Sequence, residues 1–285
     1  MVKSKNIYGV FFKRGNLLGL IIPLLAYLLF FYAYPALQMI GRSFFAPDFT
    51  LKFYNDFLNI AAFKIVMLNT FSIAFFATLL CLALGYPIAY LLTMVSQKVS
   101  QILILLIVIP FWISILVRSY AWMVLLGRNG IVNQLLIKLG IIQSAIPLMH
   151  NRFGVYVGMI NILLPFIVLP LFSVMKGIDK NLVKSAQILG APPWKAFLKV
   201  FFPLSLPGVA GGGLLVFIMA LGFFITPALL GGARDTMIAQ LIQIQVVDLV
   251  NWSLGSALAT ILLLNALIVF FIYNRFLGID RMVGR

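Results

Sequence analysis

Few residues in this sequence could do bond-making chemistry, and their isolation limits them further. His150 is the only histidine and Cys81 the only cysteine. Neither a histidine-based metal site or triad nor a disulfide or cysteine-ligated metal can be assembled from them. All six acids are aspartates: Asp48, Asp56, Asp179, Asp235, Asp248 and Asp280. No histidine or acid cluster lies in an apolar stretch, which argues against an enzyme embedded in lipid. What remains suits binding and movement of a solute. Arg118 lies within Ile-Leu-Val-Arg-Ser-Tyr-Ala-Trp, and Phe111, Trp112, Tyr120 and Trp122 lie near it. Phe223 and Phe224 mark a second aromatic site. Aromatic faces can line a pathway for cations or form interfacial belts. Arg118 either faces such a pathway or snorkels to the outer membrane surface.

The elements that carry these residues follow from composition. Of 285 residues, 63% are hydrophobic and 9% charged. Soluble domains average about 45–50% apolar and about 25% charged. Lipid is the solvent that suits this chain. Segments 17–40, 68–95, 102–126, 155–175, 204–230 and 254–276 each reach the about 20 apolar residues a membrane span needs. The expected fold is therefore all-α: a single polytopic domain over 1–285 with about six transmembrane helices. The first apolar run exceeds the ~7–15 residues of a cleavable signal core and reads as an uncleaved helix.

Lys and Arg number 21 against the six acids. In a soluble protein such a surplus would suggest nucleic acid. Here it reads as the positive-inside asymmetry, so no nucleic-acid partner is expected. With both termini cytoplasmic, thirteen Lys and Arg fall inside and seven outside, and Arg118 lies within a span. Residues 1–16 then form a cytoplasmic tail. The prolines Pro87, Pro110, Pro165, Pro170 and Pro227 fall within apolar segments, where they tend to kink helices. In the outer segment 127–154, Val132, Leu135, Leu136 and Leu139 are spaced for a short amphipathic helix ending at Gly140.

The cytoplasmic segment 176–203 carries the most specific pattern. Asp179 is placed to cap a short helix through Leu189, Gly190 to end it in the left-handed region, and Pro192 or Pro193 to open a second short helix. Two short helices at a sharp bend make a compact knob suited to docking a soluble partner.

Lys184-Ser185-Ala186-Gln187-Ile188-Leu189-Gly190, followed after nine residues by Val200-Phe201-Phe202-Pro203, resembles the EAA loop of bacterial ABC-importer permeases, E-A-A-x3-G-x9-I-x-L-P. Lys184 stands where the family has glutamate, which reverses a charge. Leu84–Tyr90, Ile109–Trp112, Leu163–Phe166, Leu204–Gly208, Gly231-Gly232 and Asn251–Gly255 are similar to the spermidine/putrescine permease branch. The core permease region is then 68–278.

The resemblance implies a permease half of an ATP-driven importer, in the bacterial inner membrane. Its partners would be a second homologous permease, two copies of a cytoplasmic ABC ATPase and a periplasmic solute-binding protein. Lys184, Ser185, Ala186, Gly190, Ala191, Pro192, Trp194 and Pro203 would form the ATPase-coupling loop. Phe111, Trp112, Arg118, Tyr120, Trp122, Phe223 and Phe224 would be candidates for the substrate pathway. The sequence has no G-x4-G-K-[ST] loop, so ATP and Mg are expected on the partner ATPase and no cofactor on this chain. A polyamine-like organic solute is favoured, although the basic surplus would suit an anion equally. A secondary transporter driven by an ion gradient is the alternative, but such proteins usually carry acids within their spans, and none is expected here.

Overall fold

In the computed structural model, residues 14–45 and 48–277 are described, and they are almost entirely helical. Helix α1 runs over Arg14–Leu28 and Tyr34–Arg42 around a π-helical turn at Leu29–Ala33. A short helix α2, Lys52–Asn59, follows. The membrane helices α3 (Ala61–Met94), α4 (Gln97–Trp112), α5 (Ile115–Leu126) and α7 (Arg152–Lys176) come next, with α6 (Ile131–Lys138) between α5 and α7. The chain continues through α8 (Lys180–Ile188), α9 (Pro193–Leu221), α10 (Ile225–Leu230), α11 (Ile238–Asp248) and α12 (Trp252–Leu277). Among the described residues five helices are long and apolar enough to cross a membrane alone, and Gln97–Trp112 with Ile115–Lys138 makes a sixth passage if counted as one broken span.

The core lies where α3, α7 and α9 pack on one another, with Ile73, Ala77, Cys81, Leu163, Ile167 and Val216 buried. Lipid tails are as apolar as these side chains, so burial alone does not drive helices together. Close van der Waals contact between small residues does. A Cβ at Gly85 would lie 2.5 Å from Ile167 Cγ2, and one at Gly208 would lie 3.0 Å from Val174 Cβ. These two glycines let α3 and α9 press against α7 from different sides. By contrast, no residue of Ile21–Arg42 in α1 is buried within this chain. Arg42 at its C-terminal end stacks over the Trp252 ring at 5.8 Å.

Three sequence expectations are corrected. Segment 102–126 is not one helix. The axis turns by 97° between Gln97–Trp112 and Ile115–Lys138. The cause is local: Ile109–Trp112 tightens into a 3-10 turn around Pro110, and Ile113 and Ser114 are extended. Segment 204–230 also breaks, at Gly222–Phe224, between α9 and α10. Third, the second short helix of the knob is not separate. Pro193–Ala196 continues through a π-helical turn at Phe197–Phe201 into Phe202–Leu221, so the span begins at Pro193 and Pro203 lies inside it.

Helix α6 forms as expected, and Gly140 ends it at φ +69. Leu135 and Leu139 are exposed, and the buried anchor is Asn133. Asn133 Nδ2 donates to the carbonyls of Gly127 and Ile146, and its Oδ1 accepts from the Ile146 N–H. The expected tail 1–16 lies outside the described residues up to position 13, and so does the chain from 278 onward.

Candidate functional site

The knob is built from its caps outward. Asp179 Oδ1 accepts from the Asn181 N–H at 2.9 Å, the expected N-cap. At the other end Gly190 has φ +90. The Gly190 N–H donates to Gln187 O at 2.9 Å and the Ala191 N–H to Ala186 O at 3.0 Å. That pair of bonds is a Schellman motif, which satisfies carbonyls that the helix end would leave unpaired. Nothing lies within 4 Å of where a Cβ on Gly190 would sit, so only its backbone conformation demands glycine.

Beneath the knob, Tyr90 packs edge-on against Phe197 and Phe201 at 5.2 and 5.0 Å. Val183 and Ala186 face this side and are half-buried, whereas Lys184 and Ser185 are exposed. Ala191 and Pro192 are half-buried at the turn. Lys184 makes no salt bridge among the described residues. The tip is apolar: Ile188 and Leu189 are 85% and 88% exposed, and Trp194 is exposed beside them in sequence with Lys195 Nζ over its ring. Sequence reasoning missed Ile188 and Leu189. The signal available was their place immediately before a helix-ending glycine, where the outer side of a turn must expose them.

The family-like segments converge in space. Tyr86 Oη lies 2.9 Å from Ser205 Oγ, joining the Leu84–Tyr90 and Leu204–Gly208 segments. The Phe111 and Phe166 rings meet edge-on at 5.6 Å, joining Ile109–Trp112 to Leu163–Phe166. Gly232 N–H donates to Asp235 Oδ2 at 3.1 Å, and Asp235 Oδ1 accepts from Arg152 Nε at 3.0 Å. Asn69 closes this junction by donating to Arg234 O at 2.6 Å and accepting from Arg152. Arg152 and Asp235 were not among the expected site residues. They stand 83 positions apart, and no local spacing pairs them.

The seven candidate pathway residues divide between the two breaks. Phe111 and Trp112 lie just before the first break, with Trp112 82% exposed. Phe223 and Phe224 form the second. The helices leaving the breaks pack together, with Ser119 Oγ 3.4 Å from Thr226 Oγ1. On α5, Leu116, Val117, Tyr120 and Val124 form an exposed stripe and Trp122 is half-buried. Arg118 sits in the first turns of α5, directly after the bend. Its Nε and Nη1 atoms are buried without a hydrogen-bond partner. Phe223 is half-buried and packs against the core, while Phe224 beside it is exposed. No group of histidine, cysteine and acids that could hold a metal occurs among the described residues.

Residues 82–278 match the model of the binding-protein-dependent transport system inner membrane component family. The chain is 35% identical over 264 residues to the spermidine/putrescine transport system permease protein PotB of Escherichia coli, covering 90% of this chain and 96% of that one. It is 29% identical over 245 residues to the inner membrane ABC transporter permease protein YdcU of the same organism, with 78% of each chain covered. A chain in the crystal structure of a bacterial alginate ABC transporter, in complex with its alginate pentasaccharide-bound periplasmic protein, superposes with a TM-score of 0.77. That match covers 98% of this chain and 99% of the other at 17% identity, a likeness of fold.

Proposed function

The chain belongs to the family of binding-protein-dependent transport system inner membrane components, and on that premise we propose that it is the polyamine-carrying half of a heteromeric importer. As a family member it is a multi-pass inner-membrane permease subunit of an ABC importer, a transport component and not an enzyme. The observation that carries the substrate class is the similarity to a spermidine/putrescine permease along 90% of this chain. The exposed aromatics Trp112 and Tyr120 are compatible with a cationic solute, because ring faces attract ammonium groups without the cost of burying a counter-charge. Arg118 repels such a solute and is therefore assigned a positioning role and not a contact with it.

The remaining partners are part of the same proposal. A second permease completes the pathway, and a periplasmic binding protein delivers the solute. Two cytoplasmic ATPase subunits bind ATP and Mg, and both termini of this chain lie on their side. The apolar tip of Ile188, Leu189 and Trp194 supports docking of the knob in an ATPase socket, since exposed large side chains on a rigidly capped turn have no use in water. Movement of the sockets on ATP binding would then be transmitted directly to α9, with which the knob's second limb is continuous. The test is uptake of radiolabelled spermidine and putrescine by vesicles holding the reconstituted complex, with the cognate binding protein outside and ATP inside. ATP-dependent accumulation is expected. Accumulation without ATP, driven by an imposed ion gradient, would reject the reading.

A further inference from the structure

The mouth of the α3–α4 turn holds a second cleft, apart from the knob's apolar tip. It measures about 330 Å³ and lies between the end of α3, the start of α4 and the end of α7. Lys176 and Lys180 line one wall, Gln97 and Ser100 another, and Ile104 and Phe172 the deeper part. Ser100 is only 6% exposed, and its hydroxyl has no hydrogen-bond partner. Ser96 at the N-cap of α4 makes no side-chain capping bond, so N–H groups of the first turn are uncapped by that side chain. Lys180 is held over the cleft by a 2.9 Å bond from its Nζ to Thr93 O, and Lys176 lies 5.6 Å above the Phe172 ring. Asp179, the acid between the two lysines in sequence, has an oxygen engaged in capping Asn181.

We propose that this cleft binds the phosphate headgroup of an anionic phospholipid of the cytoplasmic leaflet. Two cations, a helix N-terminus and an unpartnered buried hydroxyl all favour an anion with several acceptor oxygens. The cleft also opens at the level where spans α3, α4 and α7 end, on the face that carries the knob. Ile104 and Phe172 make the deeper part of the cleft apolar, and Ile102, Leu105 and Leu106 on the adjoining face of α4 are more than half exposed, apolar surface that acyl chains can cover. A free phosphate would have no use for that surface. The bound lipid would tie the start of α4 to Lys180, the first residue of the coupling helix, and so brace the base of the knob.

The test uses the intact importer complex, stripped of lipid in detergent and titrated with phosphatidylglycerol, phosphatidylethanolamine or inorganic phosphate under native mass spectrometry. Phosphatidylglycerol should bind selectively. Lys176→Gln with Lys180→Gln should weaken it by roughly tenfold or more, the order expected for losing two surface lysine contacts. Lys195→Gln with Lys199→Gln removes the same charge elsewhere and should leave it unchanged. Ile104→Trp fills the cleft without altering charge and should also reduce binding, which covers the case of a lysine variant that fails to assemble. Equal binding by both double variants, equal binding of phosphatidylethanolamine, or displacement of the lipid by inorganic phosphate would each overturn the proposal.

Discussion

Tyr86 Oη and Ser205 Oγ lie 2.9 Å apart although 119 positions separate them in the chain. The contact fastens α3 to α9 one turn above the base of the knob, where the Tyr86 ring also packs against Phe197 and Phe202. Ser205 Oγ bonds the Phe202 carbonyl as well, so it stays partnered if Tyr86 is lost. Tyr86→Phe should therefore lower stability by only about 0.6 kcal/mol, the usual size of such bonds between membrane helices. Tyr90→Ala, which leaves a gap beside the stacked Phe197 and Phe201 rings, should cost about 2–5 kcal/mol. Thermal unfolding in detergent, followed by tryptophan fluorescence, checks the order of the two.

Gly190→Ala and Gly190→Val should both destabilise the turn, valine more so. No neighbour would collide with either side chain, so the penalty is conformational, about 1–2 kcal/mol for a Cβ in the left-handed region. Because Gly190 is exposed at the tip of the knob with nothing packed on it, both variants should insert and pair with the second permease. ATPase co-purification and ATP-driven uptake should fall. Wild-type uptake by Gly190→Val would remove the knob from the coupling mechanism.

Ile188→Ser with Leu189→Ser should leave the thermal stability of the permease within about 0.5 kcal/mol of wild type, as is usual for exposed positions. The same pair should weaken ATPase association by at least about tenfold if each side chain buries its apolar surface in the complex. Size-exclusion co-elution measures the second effect and unfolding the first. Loss of both together would mean that the two residues support the fold.

Arg152→Gln leaves Asp235, which is 6% exposed, with the Gly232 N–H as its remaining recorded partner. The expected cost is about 1–3 kcal/mol, kept below that of a fully buried pair because Arg152 is 45% exposed. Asp235→Asn should cost less, and the double variant should cost less than the sum. A double-mutant cycle on unfolding gives the coupling. Additive effects would show that the ion pair contributes nothing to closing this junction.

Alkaline phosphatase fused after Gly140 should be active, and fused after Arg285 inactive. The first position lies just beyond α6. The reverse pattern would invert the orientation proposed for both termini.

The sequence by itself determined the solvent, the class of fold, the family and the knob. An apolar fraction of 63% can be satisfied only by lipid, and Asp179 and Gly190 act through their own backbone neighbours, within reach of a one-dimensional reading. Only the tertiary structure decided where apolar segments stop being helices. Hydropathy runs unbroken through Ile109–Ile115, yet the chain turns by 97° there, because composition carries no direction. It likewise decided that Tyr86 meets Ser205, that Arg152 meets Asp235, and that Phe223 packs against the core while Trp112 stands exposed. Each of these rests on groups far apart in the chain. Partners of that kind are chosen by how closely α3, α7 and α9 can approach, and only folding sets those distances.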